Sequence, residues 1–349
     1  MSTGVRNLSE EDEIEAEPVY EEEEESSYFP LQYNDLDMIA PDCKKSSQHH
    51  EFIPVNDFSI NHLPKSLQDM FFSGWLQNCV PFIVRVTGKR KATGRAMLIA
   101  QEINDVKPCP HLQCEFRKKL GKNHNIYGGL GIITNRHVVE NDDEAKETTV
   151  EFFYHSDDDR DTTVIKERGY SLRIPNKKLD YSVFSCYTHI RCLPHLIRNL
   201  DRVRNYIWKC IPRQVQDYST KYAIIISHPH GTLKKISIGD VVDRRIKDVE
   251  ETEKENVSML LKLYNICEEK YKAEEQRKAL QRFEMYMCNL PNVNLPYTQT
   301  LYTTATCQGS SGAPVYMGIL VKDEFGQLIN QAHTHRGVDK FTGYNNCYT

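Results

Sequence analysis

Short apolar runs and stretches of alternating apolar and polar residues, bounded by glycine, proline or charged clusters, recur along most of this chain and predict β-strands. Val80-Pro81-Phe82-Ile83-Val84-Arg85-Val86 reads as a first strand and Arg95 to Ala100 as a second. Gly128-Gly129-Leu130-Gly131-Ile132-Ile133-Thr134 is an apolar strand running into the polar turn Asn135-Arg136-His137. Thr148 to Tyr154, Tyr170 to Ile174 and Tyr181-Ser182-Val183-Phe184 continue the pattern, and Ala223 to Ile226 and Ile236 to Val241 repeat it. Tyr316 to Val321 and Leu328 to Thr334 predict a closing hairpin around Asp323-Glu324-Phe325-Gly326.

Two stretches break this rhythm. Leu63 to Cys79 has helical spacing, with Pro64 suited to a first helical turn, and is expected on the outside of the first group of strands. Asp243 to Tyr286 is highly charged and free of glycine and proline, and it sets Val257, Leu260, Leu261, Tyr264, Cys267 and Tyr271 on one helical stripe, which predicts a helical insertion. Asn141 to Glu147 reads as an acidic loop. His189 to Trp208 is less regular and should contain the connection between two halves, and the residues after about 340 read as a tail.

Charge changes the picture at the N-terminus. Residues 1–50 hold 14 Asp/Glu against 3 Lys/Arg, a net of −11, while the remainder carries 35 acids and 41 bases, a net of +6. Residues 1–60 are therefore expected as a disordered acidic tail, with Glu21 to Glu25 its clearest block, ahead of one body at 61–349. With 39% apolar residues that body can bury a core. It divides into strands at about 80–190 and about 215–340, with the insertion at about 243–286. No apolar run approaches the roughly 18 residues of a membrane span, and Met1 to Leu8 leads into glutamates rather than an apolar signal core, so an intracellular protein, cytoplasmic or nuclear, is expected. Eleven irregularly spaced cysteines fit reduced thiols in such a compartment.

Candidate chemistry concentrates in Thr306-Cys307-Gln308-Gly309-Ser310-Ser311-Gly312-Ala313-Pro314-Val315. A serine between two glycines, with a proline fixing the exit into a strand, makes a tight turn that can present the Ser311 hydroxyl beside the N–H groups of Gly309 and Ser311. That is a nucleophile next to an oxyanion hole. Serine needs a base, and His137 after its strand is the candidate; Asp180, at the mouth of the strand Tyr181-Ser182-Val183-Phe184, is the candidate acid that orients it. The chain order is His, Asp, Ser.

In these motifs the sequence resembles the trypsin-like serine peptidase superfamily, closest to its HtrA-like and intracellular branches. Ile-Thr-Asn-Arg-His-Val-Val is similar to the family's histidine motif, Asp-Tyr-Ser-Val-Phe to its aspartate motif and Gly-Ser-Ser-Gly-Ala-Pro to its serine motif. Ala223 to Gly231 followed by Ile236 to Val241 resembles the strands that open the second barrel. The resemblance implies an all-β fold of two antiparallel barrels of the chymotrypsin type. It also implies a serine endopeptidase working through an acyl-enzyme on protein or peptide substrates, without a cofactor. Ser310 stands where secreted zymogen enzymes carry aspartate and no Ile-Val-Gly-Gly-like segment occurs, so activation by a new N-terminus is not expected. Cys307 stands where trypsins have half of a disulfide, with Cys347 its one downstream option; a free thiol is preferred. Thr306, five positions before Ser311, with His333 on the strand after the closing hairpin, resembles the primary pocket of glutamyl endopeptidases and viral 3C-like proteases, which read Glu or Gln. Related intracellular proteases that cut after aromatic residues can also carry a histidine on this strand, so an aromatic or small apolar preference is the alternative. His335 on the same strand is a second imidazole that can reshape that pocket.

Other clusters are given plainer readings. Cys109, His111 and Cys114 are soft-metal ligand types, but a structural site needs four donors and the fourth would be a distant residue such as His124. A loop with two thiols, and no metal, is the expectation. His228 and His230 read as turn residues. Gly88-Lys89-Arg90-Lys91 is a hairpin tip too short, and too poor in aromatics, for a nucleic-acid patch. The alternative to an enzyme is a catalytically idle protease-like fold used as an interaction module through its tail and insertion.

Overall fold

The computed structural model describes residues 42–99, 102, 104–111, 114, 116–117, 124–155, 163–177, 180–247, 297–318, 320–322, 328–330, 333–338 and 344–348. A two-residue strand β1 (Ile53–Pro54) precedes β2 (Ile83–Thr87), β3 (Lys91–Leu98), β4 (Val106–Pro108), β5 (Asn125–Thr134), β6 (Thr149–Phe152), β7 (Ile165–Asn176) and β8 (Tyr181–Thr188). Strands β3, β2, β6, β7, β8 and β5 pair antiparallel in that order, and β3 pairs with β5, closing a six-strand barrel with β4 laid on β5. Alternation fills it: Val84, Val86, Leu130, Ile132, Val150, Phe152 and Phe184 point inward and are buried. Three of these lie on the apolar strands predicted around His137 and Asp180.

The second barrel uses β9 (Tyr222–Ser227), β10 (Lys235–Lys247), β11 (Tyr297–Tyr302), β12 (Pro314–Tyr316), β15 (His333–Val338) and β16 (Asn345–Tyr348), closed between β9 and β10. β1 adds to its edge through Ile53 opposite Ile236. β13 (Leu320–Lys322) and β14 (Leu328–Asn330) form a separate two-stranded ribbon, the closing hairpin in its observed form. Asp323 to Gly326 lie outside the described residues. The protein is thus an all-β double antiparallel barrel of the chymotrypsin type, with helices packed on its outside.

Several elements depart from the sequence reading. The ordered body starts well before residue 61: Ser46–Glu51 forms a 3-10 turn, β1 follows, and Phe52 and Phe58 are buried. The acidic residues before 42 lie outside the described residues, as does most of the predicted helical insertion; its first residues, Asp243 to Lys247, are strand, in register with β11. The helix expected at Leu63 to Cys79 forms over Met70–Cys79 as α1. Asn141 to Glu147, expected as an acidic loop, is instead a short helix, α2 (Asp142–Glu147), capped by Asn141, whose side-chain oxygen accepts the Glu144 N–H. Acidic residues in that first turn suit the helix dipole.

The stretch expected to be irregular is an 18-residue helix, α3 (Leu193–Cys210), with Pro194 in its first turn and Leu193, Ile197 and Trp208 buried; α4 (Arg213–Ser219) follows. Helix α1 does not cover the first barrel. Phe72, Trp75 and Leu76 pack with Trp208, Ile224, Ile226, Ile236 and Tyr316, against α3 and the second barrel. Trp75 touches Trp208 at 4.7 Å and Tyr316 at 5.4 Å between ring centroids. Finally, the segment expected as a tail after about 340 contains β16, which joins β11 to β15.

Candidate active site

β5 ends at Thr134, and the next three residues turn toward the start of β8, where Asp180 sits. Asp180 is 4% exposed and has φ +47, a left-handed conformation that aspartate tolerates better than most residues. Its carboxylate takes the His137 N–H (2.9 Å) on one oxygen and the Asn135 amide (2.9 Å) with His137 Nδ1 (2.6 Å) on the other. The Arg136 N–H donates to the Asp180 carbonyl at 3.1 Å, and Arg336 Nε from β15 is 3.7 Å from the same carboxylate. Burial pushes the Asp180 pKa up, but the bonds from His137 and Asn135 outweigh it and hold the carboxyl below its usual range. A carboxylate only accepts, so the His137 ring carries a hydrogen on Nδ1.

The turn around Ser311 is bound to the first barrel. The Thr93 N–H donates to the Ser311 carbonyl (2.9 Å), and the Thr93 hydroxyl donates to the Gly309 carbonyl (2.7 Å) while accepting the His228 N–H (2.9 Å). Gly312, at φ +82, admits no side chain: a Cβ there would stand 2.2 Å from Thr134 Oγ1. The turn of Ser311 therefore lies against the end of β5, three residues before His137. From β15 the His335 carbonyl accepts the Gly312 N–H at 3.1 Å. The structure brings His137 and Asp180 into contact and packs the Ser311 turn into the same corner, with Ser311 itself half-buried. Ser310, where zymogen enzymes have aspartate, is buried with its hydroxyl 3.1 Å from that of Ser227.

His230 has more than a turn role. It sits at φ +56, and its N–H donates to the Gln308 carbonyl at 2.5 Å. In a trans peptide the following N–H points the opposite way, so this bond aims the Gly309 N–H away from His230. Gly309 is at φ +89, and a Cβ on it would stand 2.6 Å from the His228 carbonyl. The β9–β10 turn thus sets the orientation of the peptide proposed for the oxyanion hole.

Thr306 is fully buried. Its hydroxyl donates to Asn345 Oδ1 (2.8 Å) and receives Lys45 Nζ (3.2 Å), which also reaches Asn345 Oδ1 at 3.2 Å. His333 lies in β15 opposite Val315; its side chain is outside the described residues. The imidazole seen at this wall is His335, 3% exposed, with Nδ1 2.6 Å from the Tyr302 hydroxyl, which also lies 3.1 Å from the Asn346 carbonyl. Burial, with the charge of Lys45 nearby, lowers the His335 pKa to about 3, so the ring is neutral. Lys45, Tyr302 and Asn345 escaped the sequence reading, since nothing local marks a lysine in an acidic segment or an asparagine near the C-terminus as part of this wall. Cys347 is buried and unbridged; Cys307 Sγ lies 3.8 Å from Cys43 Sγ.

No protein-family model matches this sequence, and no curated protein matches it. Among solved structures the chain is similar to the M. tuberculosis protease Rv3671c in its inactive form, at 10% identity and a TM-score of 0.36 over 82% of this chain and 90% of that one. It is also similar to Deg5, at 11% identity and a TM-score of 0.36 over 82% of this chain and 90% of that one.

Proposed function

We propose that this protein is a serine endopeptidase of the trypsin-like superfamily. The observation that carries the reading is the buried Asp180 holding His137 by ring and backbone, 2.6 Å and 2.9 Å, beside the glycine-flanked Ser311 turn. Ser311 Oγ attacks a peptide carbonyl while His137 Nε2 takes its proton; the oxyanion is met by the Gly309 and Ser311 N–H groups. His137 then protonates the leaving amine, and water, activated by the same ring, releases the acyl group from Ser311. Asp180 keeps the hydrogen on Nδ1 and stabilises the imidazolium.

The substrate residue before the scissile bond is proposed to be Glu, with Gln second. Thr306 supports this, with His335 at the same wall and Lys45 adding a positive charge within hydrogen-bonding distance of the Thr306 hydroxyl. His333 keeps its proposed place on that strand. The Thr306 hydroxyl gives its one hydrogen to Asn345 Oδ1 and holds the Lys45 ammonium, which is the group proposed to meet the substrate carboxylate.

A fluorophosphonate probe tests the activated serine without knowledge of the substrate. The wild-type chain should label at Ser311 and cleave peptides, and Ser311→Ala should do neither while melting within a few degrees of it. An unlabelled, well-folded wild type would favour the idle interaction module instead.

A further inference from the structure

We propose that the chain binds two structural zinc ions, one at Cys43, His49, His230 and Cys307 and one at Cys109, Cys114, His124 and His189. In each group the four donor atoms lie within 4.8 Å of one another. The residues of the first group are separated by up to 264 positions, and the fold alone gathers them.

In the first group the two sulfurs are 3.8 Å apart and the two imidazole Nε2 atoms 3.2 Å apart. A tetrahedral zinc ion, with bonds of about 2.3 Å to sulfur and about 2.0–2.1 Å to nitrogen, separates two sulfurs by about 3.8 Å and two nitrogens by about 3.3 Å. Both spacings therefore match one ion held by all four residues. His49 and Cys307 are buried and the other two half-buried, as a closed structural site requires.

The second group is carried by a different observation. His189 Nδ1 is bonded to Glu167 Oε2 at 2.7 Å, and Glu167 is 2% exposed. The other Glu167 oxygen accepts the His189 N–H (2.7 Å) and the Thr188 hydroxyl (2.8 Å), which fixes the carboxylate. The hydrogen on Nδ1 leaves the Nε2 lone pair facing Cys114 Sγ at 3.3 Å. A carboxylate behind an imidazole whose other nitrogen faces a thiol is the support that metal-binding histidines have. The sequence reading offered His111 and a distant His124. The structure keeps His124 but uses only the His111 carbonyl, bonded to the Cys114 N–H at 3.2 Å; the fourth donor is His189.

The two ions have different consequences. The second clips the loop between β4 and β5 to the end of β8. The first fastens residues 43–49 to Cys307, four positions before Ser311, and to His230, whose N–H orients the Gln308–Gly309 peptide.

Metal analysis of the reduced full chain, dialysed against a weak chelator, tests this independently of any protease activity. Two zinc ions per chain are expected. Cys43→Ser and His189→Gln should each remove one, and the double variant both. Cobalt(II) substitution of the wild type guards against variants that fail to fold: its visible bands should be those of tetrahedral sites with two thiolates per metal. No retained zinc, or octahedral cobalt, overturns both sites. One zinc, lost with only one of the two variants, overturns the site of the other.

Discussion

Lys45 Nζ stands 3.2 Å from the Thr306 hydroxyl, a contact between residues 261 positions apart. It places a cation from the acid-rich N-terminal region in the wall proposed to read the substrate. Lys45→Met should lower kcat/KM for peptides with Glu before the scissile bond by roughly tenfold or more, the size of a hydrogen bond to a charged group, and change Gln peptides less. A matched peptide pair measures this, and equal losses for both would remove Lys45 as the reader of charge.

Truncation separates the acidic residues from the docked segment. A chain lacking residues 1–41 keeps Cys43, Lys45 and His49, and should keep the wild-type Glu preference. A chain lacking residues 1–50 loses all three, and its preference should fall as in Lys45→Met. Steady-state kinetics on the two truncated proteins decide it; an unchanged preference in the protein lacking residues 1–50 would contradict the assignment.

His335 makes stability depend on pH with a definite sign. Its pKa falls from 6.5 to about 3 on folding, so between those values the unfolded chain binds a proton that the folded chain does not. Its stabilising effect is complete above the upper value and is lost as pH falls through the window, by up to about 2 kcal/mol at about pH 5. Urea midpoints at about pH 7 and about pH 5 should differ less in His335→Gln than in the wild type. His228, also lowered by burial, leaves a residual drop of the same sign.

The chain's 2 tryptophans, Trp75 and Trp208, are in contact at 4.7 Å. Trp75→Ala should destabilise by about 3–5 kcal/mol, as deletion of a buried aromatic ring does. It should also move the emission of Trp208 to longer wavelength as water reaches the gap between α1 and α3. A small loss of stability with unchanged emission would show that α1 is not anchored there.

Local pattern alone determined most strands of both barrels, because inward and outward positions alternate with period two whatever the strand pairs with. It also singled out His137, Asp180 and Ser311, since each follows or precedes a strand in a turn of polar residues and glycine. The contact of His137 with Asp180 is a matter of register: β5 pairs with β8 so that Thr134 faces Ser182. Helix α3 was hidden because its buried stripe, Leu193, Ile197 and Trp208, is diluted by arginines and by exposed Leu196, Val203 and Tyr206. Helix α1 was legible as a helix, but which barrel it covers depends on Trp208 and Tyr316, far along the chain. The same holds for Lys45 at Thr306 and for His189 completing the group with Cys114. A side chain's type shows what it can bind, whereas its partners are chosen by pairings between strands distant in sequence. Only the closed barrels bring those residues within bonding distance.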